Sequence, residues 1–198
     1  MLGLIIKEGS IMAFLKLKPA LAVALVGASC LSLSACSLPN AEVNFDRYTL
    51  TLDIDPNAYL SPYDIDLTLA PVLDQGGVVI QMSDVSLRPA KNYRYSSDLD
   101  NELRLLFIDE ALKANMPKEY EQLKTKIYVS KFQGTLDGFA IVSLSVQVCK
   151  GDNKQVLFQK AYSQKSKISE DGYNALVSEL KNSYLKQVRS FIIDYKDR

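Results

Sequence analysis

The sequence predicts an α+β domain, a two-layer sandwich in which two long helices pack on one face of a mostly antiparallel or mixed sheet. Three observations support this prediction. Several segments alternate apolar and polar side chains with the period of two that is typical of half-buried strands. Two other segments repeat apolar residues at the spacing of an amphipathic helix. The strands come in two groups, each followed by one helix, which favours both helices on the same face of the sheet.

The first group of strands begins after a short polar segment. Alternating apolar and polar residues predict one strand over residues 45–54 and another over residues 65–69. Two consecutive glycines open a third strand over residues 78–82. The following segment, SLRPAKNYRY, is predicted to turn around Pro89. For its end, Tyr93-Arg94-Tyr95, two interpretations are open: an interaction surface or cation–π cluster, and packing beneath the hairpin.

The first helix is predicted over residues 98–114. Ser97 is a suitable N-cap, and acidic residues occupy the first turns, where they complement the helix dipole. Asn115-Met116-Pro117 ends the helix. Asp109 and Glu110 are adjacent and project in different directions, so we expect them on a solvated face rather than as a catalytic carboxylate pair. The apolar stripe consists of Leu99, Leu103, Leu106 and Leu112.

The second group predicts a three-stranded meander followed by the second helix. Its strands are expected over residues 127–132, 139–148 and 156–162. Ser169 or Asp171 is predicted to cap the last helix, which would be ~38 Å long if it ran to Tyr195. Its apolar stripe predicts packing on the sheet, with partner contact along part of the helix as the alternative. The stripe consists of Tyr173, Leu176, Val177, Leu180, Tyr184, Leu185, Val188, Phe191, Ile192 and Tyr195.

The composition excludes several classes of protein. The 23 basic and 23 acidic side chains give a formal charge of zero, without the Lys/Arg excess that nucleic-acid binding requires. The chain contains no histidine, which excludes Ser-His-Asp and Cys-His catalysis and His-ligated zinc. It also lacks a P-loop motif for ATP hydrolysis. We therefore expect no cofactor and no metal site.

The N-terminal 35 residues have the layout of a bacterial export signal. Lys7, Lys16 and Lys18 precede an uncharged segment over residues 19–35. This segment is shorter than the ~20 apolar residues that a membrane-spanning helix needs. Met12 is an alternative start, because the sequence from Met12 onward has the compact form that is usual for signals.

The signal ends in Leu33-Ser34-Ala35-Cys36, which is similar to the lipobox of bacterial lipoproteins. In that resemblance the Cys36 thiol is alkylated by a diacylglyceryl group, and a peptidase cleaves between Ala35 and Cys36. The small residues give the peptidase access, and Leu33 fills an apolar subsite. The freed amine of Cys36 then takes a further acyl chain, such as palmitate, and two or three chains anchor a protein stably to a membrane. The alternative is a cysteine that merely ends an apolar segment.

The rest of the chain is expected to form a tether and one domain. Residues 36–44 contain the lipidated cysteine and a short polar tether, and residues 45–198 form a single α+β domain. Ser37 stands where Asp commonly retains a lipoprotein in the inner membrane, so we expect the periplasmic face of the outer membrane of a Gram-negative bacterium. Once Cys36 carries lipid, Cys149 has no disulfide partner and is expected to be an inert thiol.

Four segments of the chain carry a resemblance to a known family. They are RYTL, GGVVIQMSDVSLRPAKNYRYSSDLDNELRLLFIDEAL, KIYVSKFQGTLDGFAIVSLSVQV and DGYNALVSELKNSYLKQVRSFI. In this order they resemble the strands and helices of the ABC-type transport auxiliary lipoproteins, a family that includes the paraquat-inducible protein C-like components of MCE lipid-transport systems. Phe132 matches a phenylalanine near the end of the first long strand of the family. Tyr95 stands where the family often has tryptophan.

This resemblance implies a non-enzymatic role. It implies an outer-membrane lipoprotein that docks on the MCE-domain periplasmic protein of an ABC transporter complex and helps lipid pass between membranes. A separate cytoplasmic ATPase would supply the energy. The sequence leaves the oligomeric state open, with a homo-oligomer as one alternative. The alternative function is a structural lipoprotein of another envelope assembly, such as a polymer or lipopolysaccharide export machine.

Overall fold

The computed structural model describes residues 46–151 and 155–198. These residues form two helices and a mixed sheet of seven strands. The predicted α+β class is therefore confirmed. The strands are β1 (Asp46–Tyr48), β2 (Asp64–Leu69), β3 (Gly77–Ser83), β4 (Ser86–Tyr95), β5 (Leu123–Thr135), β6 (Phe139–Lys150) and β7 (Gln155–Lys167). The helices are α1 (Leu99–Lys113) and α2 (Tyr173–Lys196). Three 3-10 turns lie at Pro56–Leu60, Leu73–Gln75 and Lys118–Gln122.

The strands lie in the order β1-β4-β3-β5-β6-β7, and β2 also pairs with β5. β1 runs parallel to β4, whereas β2 and β3 both run parallel to β5. The remaining pairs are antiparallel. β2 and β3 occupy the same edge of β5 one after the other, since Leu69 pairs with Val129 and Val79 pairs with Gln133. The chain between them makes a 3-10 turn and re-enters the sheet at Gly77.

The predicted meander is confirmed as β5, β6 and β7, but β5 and β7 are much longer than the alternation indicates. Near the ends of these strands, polar residues occupy positions that face the core, so the alternation of apolar and polar residues does not extend to the strand ends. Thr125 is fully buried, and its hydroxyl is 2.6 Å from the Tyr120 hydroxyl. A buried polar group that has a hydrogen-bond partner fits the core without the cost of an unpaired one.

Two sequence expectations about the first half of the sheet are wrong. The segment around Pro89 is not a turn but part of β4, in which Pro89 pairs with Val79. Proline is tolerated there because β1 covers only residues 93–95 of β4, which leaves Pro89 without a described strand on its other side. The predicted strand over residues 45–54 ends at Tyr48.

The chain after Tyr48 leaves the sheet and packs against α1. We call residues 49–63 the crossover segment. Leu50 is buried in the core, whereas Leu52 is 79% exposed, so the alternation of apolar residues here does not reflect strand pairing. The backbone N–H of Asp55 donates to the Asp109 carboxylate at 3.1 Å. The crossover segment therefore provides a third surface around α1, besides β2 and α2.

The two helices lie side by side on one face of the sheet. They are parallel, because the Tyr184 hydroxyl donates to the Leu103 carbonyl at 2.9 Å and Lys196 reaches the Ala114 carbonyl. The predicted caps are wrong. Asp98 occupies the N-cap position of α1, and Gly172, with a φ of 111°, precedes α2. Packing of the α2 stripe on the sheet is confirmed, since most of its apolar residues belong to the core.

Candidate functional site

The predicted lipidation site lies outside the described residues. Leu33, Ser34, Ala35 and Cys36 precede Asp46, the first residue that the structure describes. Cleavage between Ala35 and Cys36 and acylation of Cys36 stay predictions.

A buried carboxylate holds the crossover segment to the first turn of α1. Glu102 is 1% exposed, and its oxygens accept hydrogen bonds from the Leu50 backbone N–H and from the hydroxyls of Ser96 and Ser97, at 3.2 and 2.6 Å for the two serines. Its position at a helix N-terminus favours a negative charge. No ion pair among the described residues includes Glu102. These hydrogen bonds join the crossover segment to α1, which indicates a structural role for the Glu102 carboxylate.

The aromatic residues before α1 pack inside the fold, so the contacts support the packing interpretation of this segment. Tyr95 is buried with its ring 6.2 Å from that of Phe132, which lies 6.5 Å from the Tyr184 ring. Burial raises the pKa of Tyr95, and no hydrogen-bond partner for its hydroxyl lies among the described residues. Tyr93 stacks on Tyr173 with 3.9 Å between ring centroids.

Arg94 does not form a cation–π cluster with Tyr93 and Tyr95, which is the other interpretation of this segment. Its guanidinium donates to the Gln75 carbonyl at 2.8 Å. This hydrogen bond spans from β4 to the 3-10 turn before β3 and fixes the point at which the chain re-enters the sheet.

The expectation that Asp109 and Glu110 lie on a solvated face is wrong, because both are buried. Glu110 accepts two hydrogen bonds from the guanidinium of Arg189 on α2, at 2.5 and 3.0 Å, and these bonds raise the pKa of Arg189. Asp109 pairs with Lys113 at 2.6 Å. Each acid is occupied by a cation, so the pair locks α1 to α2 and to the crossover segment instead of facing a substrate.

A groove opens on the helix side of the sheet, where β5 meets the first turn of α2. Its volume is about 400 Å³, within the range of small ligand sites. Ile80, Leu176 and Tyr173 form the apolar floor, and Asp137 and Glu170 lie among the polar lining residues. The full lining is Ile80, Thr135, Leu136, Asp137, Gly138, Lys167, Ile168, Glu170, Asp171, Gly172, Tyr173 and Leu176.

This groove lies at one end of the sheet. That end consists of the β3–β4 turn, the β5–β6 turn and the connection from β7 to α2, and we call it the turn end. The first two turns are neighbours, because Gln81 pairs with Thr135. The turn end carries exposed apolar side chains: Val85 is 97% exposed and Leu136 is 66% exposed. Sequence reasoning missed them, although an aliphatic residue inside an otherwise polar turn is a visible signal.

Cys149, expected to be inert, is a free cysteine and fully buried in β6. Within residues 46–151 and 155–198, no cluster of three or more His, Cys, Asp or Glu is placed to hold a metal ion. None of the described helices combines the length and the apolar character that crossing a membrane requires.

Solved structures share this fold. A crystal structure described as that of an uncharacterized protein is similar with a TM-score of 0.60 and 21% identity, over 67% of this chain and 90% of that one. A Xanthomonas campestris protein is similar with a TM-score of 0.53 and 10% identity, over 66% and 81% of the two chains. At these identities the likeness supports the fold alone. PelC from Paraburkholderia phytofirmans, solved as a dodecamer, gives a TM-score of only 0.34 at 11% identity, over 64% and 87%.

Sequence comparison adds a family. Residues 66–192 match the model of a family described as the ABC-type transport auxiliary lipoprotein component. The match extends from β2 into the last turns of α2 and thus includes both helices and the meander. No curated protein gives a significant match to this chain.

Proposed function

Since this chain belongs to the family of ABC-type transport auxiliary lipoprotein components, we propose that it is a lipid-anchored, non-enzymatic subunit of an MCE-type system that moves lipid between membranes. Acylated Cys36 anchors it to the periplasmic face of the outer membrane. Its folded domain docks on the MCE-domain periplasmic protein of the transporter. A separate cytoplasmic ATPase supplies the energy.

The family match is the observation that carries this proposal, because it spans most of the described domain. The MCE assignment is supported by the resemblance of the segments around β3, β4, α1 and β5, which includes Phe132 near the end of the first long strand. The non-enzymatic role is supported by the buried acids Glu102, Asp109 and Glu110, whose oxygens are all engaged within the fold. A domain of this kind contributes surfaces to an assembly.

The test is an affinity purification of the lipidated chain from detergent-solubilised envelopes, with identification of the associated proteins by mass spectrometry. A tag after Arg198 leaves the N-terminal anchor intact, and untagged chain from the same envelopes is the control. We expect the MCE-domain protein and the ABC permease to be enriched with the tagged chain. Enrichment of polymer-export or lipopolysaccharide-assembly proteins instead would contradict the lipid-transport role and leave the fold and the anchor in place.

A further inference from the structure

We propose that the turn end of the sheet rests on the bilayer that holds the lipid anchor, with Val85 and Leu136 inserted among the lipid headgroups. This inference rests on the proposed acylation of Cys36 and adds an orientation to it. Both side chains are exposed in the isolated domain, and Leu87, the second residue of β4, is also exposed.

The position of β1 favours this end of the sheet. β1 runs parallel to β4 and therefore away from the turn end, so Asp46 is its residue nearest the turn end. Asp46 pairs with Tyr93 on β4. Measured along the strands, Tyr93 lies at about the same position as Val78 on β3, because the β3–β4 pairs on either side are Gly77–Arg94 and Val79–Pro89. From that position β3 continues for five residues to Ser83, roughly 17 Å.

The opposite end of the sheet is farther from Asp46. The same position along the strands corresponds to Phe132 on β5, because Val79 pairs with Gln133. From Phe132 back to Leu123, where β5 begins, is nine residues, roughly 30 Å. The chain therefore enters the sheet about twice as far from that end as from the turn end.

The length of chain before Asp46 limits the distance to the membrane. Asp46 lies ten positions after Cys36, and ten positions of fully extended chain span at most roughly 33–36 Å. About half of that reach covers the distance from Asp46 to the turn end. Nearly all of that reach is needed for the opposite end, so acyl chains on Cys36 favour the turn end as the end of the sheet near the bilayer.

The chemistry of the turn end fits a bilayer of zwitterionic phospholipid better than a protein partner. A stable protein interface buries about 800 Å² on each side, whereas the exposed apolar groups here are a few side chains on two turns. Shallow insertion of such side chains suffices when a lipid anchor already tethers the protein. The charges balance within residues 84–91, 135–141 and 165–172. They are Asp84, Asp137, Glu170 and Asp171 against Arg88, Lys91, Lys165 and Lys167.

The sequence contains no tryptophan, so a single introduced indole reports the depth of its own position. The lipidated full chain is reconstituted into vesicles of phosphatidylethanolamine and phosphatidylcholine, with or without brominated acyl chains as a quencher. The variants are Val85→Trp and Leu136→Trp. The control is Leu60→Trp, since Leu60 is 84% exposed but lies on the crossover segment. All three positions are exposed, which favours normal folding, and circular dichroism verifies it.

We expect brominated lipid to reduce the emission of Val85→Trp and Leu136→Trp about two-fold, as for groups roughly 5–10 Å inside the headgroup boundary. Leu60→Trp should keep its emission, and high salt should change none of these results because the charges at the turn end balance. If the chain floats with vesicles but neither turn-end variant is quenched, the orientation is wrong and the anchor stands. Quenching of Leu60→Trp alone would place the crossover segment on the bilayer and also overturn the proposal. If the chain does not float, the proposed anchor itself fails.

Discussion

Two buried tyrosine hydroxyls in the same aromatic cluster differ in their hydrogen bonding. The Tyr184 hydroxyl donates to the Leu103 carbonyl and thereby joins α2 to α1. The Tyr95 hydroxyl is equally buried but lacks a hydrogen-bond partner among the described residues. A satisfied buried hydroxyl contributes to stability, whereas an unsatisfied one costs free energy. The two residues therefore form a matched pair in which the same substitution has different consequences.

We expect Tyr184→Phe to lower the free energy of unfolding by about 1 kcal/mol, because it removes the hydrogen bond to Leu103 and leaves that carbonyl without its partner. Tyr95→Phe should leave the free energy of unfolding unchanged or raise it slightly, because no hydrogen bond is lost. Urea denaturation of the soluble domain at neutral pH measures both. Equal losses for the two variants would contradict the assigned difference in hydrogen bonding.

The same tyrosines predict how stability depends on alkaline pH. Burial raises the pKa values of Tyr95, Tyr120 and Tyr184 in the folded protein above the ordinary value of about 10. A raised folded-state pKa contributes stability that is fully present below pH ~10 and is lost as the pH rises above it, because the unfolded chain releases these protons first. We expect the free energy of unfolding to fall steeply above pH ~10.

Urea titrations between pH 8 and pH 11.5 measure this dependence. Tyr184→Phe should make the decline shallower, since one of the tyrosines that ionise only on unfolding is gone. An equally steep decline in that variant would show that other groups dominate the alkaline transition.

At the scale of elements, the crossover segment depends on contacts with α1 rather than on strand pairing. Glu102 accepts the Leu50 backbone N–H, and Asp109 accepts that of Asp55. These two carboxylates hold both halves of the segment against the helix. Because the segment has no ladder of hydrogen bonds of its own, its order should be lost before that of the sheet.

Glu102→Ala tests this dependence. Removing the carboxylate leaves the Leu50 N–H and the hydroxyls of Ser96 and Ser97 without their acceptor, so we expect a loss of about 1–3 kcal/mol in the free energy of unfolding. Hydrogen exchange at Leu50 should accelerate more than exchange in β6. Glu121→Ala, at an exposed position, is the matched control and should change neither quantity. Unchanged exchange at Leu50 in Glu102→Ala would mean that other contacts hold the segment.

At the scale of the whole molecule, the proposed role depends on where the domain is held. The formal charge of zero gives it no general attraction to anionic surfaces. Acyl chains on Cys36 would supply the attachment instead. The membrane location of the entire protein is therefore predicted to depend on one thiol.

We expect Cys36→Ala to move the protein from the membrane pellet to the soluble fraction, because no acyl chain can be added without the thiol. Cys30→Ala lies in the same signal but outside the lipobox, and this control should stay in the pellet. Metabolic labelling with palmitate should mark the wild type and Cys30→Ala only. A Cys36→Ala variant that remained in the pellet would show that the protein is held there by something other than acylation of Cys36.

Ser37→Asp tests the location within the envelope. Aspartate directly after the lipidated cysteine commonly retains lipoproteins in the inner membrane, so we expect the variant to shift from outer-membrane to inner-membrane fractions in a sucrose gradient. Ser37→Thr is the control and should behave as the wild type. We expect acylation to be the same in all three proteins. A wild-type protein that already fractionates with the inner membrane would contradict the proposed outer-membrane location.

The periodicity of apolar residues along the chain predicted most of the strands and helices. The alternation in β2 and β6 and the apolar stripe of α2 depend only on local spacing, because one face of each element must be buried whatever covers it. Where polar residues took inward positions, as Thr125 did, the pattern understated the length of a strand. Where apolar alternation occurred without a partner strand, as in the crossover segment, it predicted a strand wrongly.

The amino-acid sequence by itself determined the α+β class, the meander, the two helices and the absence of histidine chemistry, since these follow from composition and from spacing along the chain. It also predicts the anchor at Cys36. Only the tertiary structure decided that Asp109 and Glu110 are buried and paired with cations, that Pro89 lies within a strand, and that Val85 and Leu136 lie at the same end of the sheet. These features depend on which distant residues pack together, and the choice among partners far apart in the chain is made by the packing of the whole core.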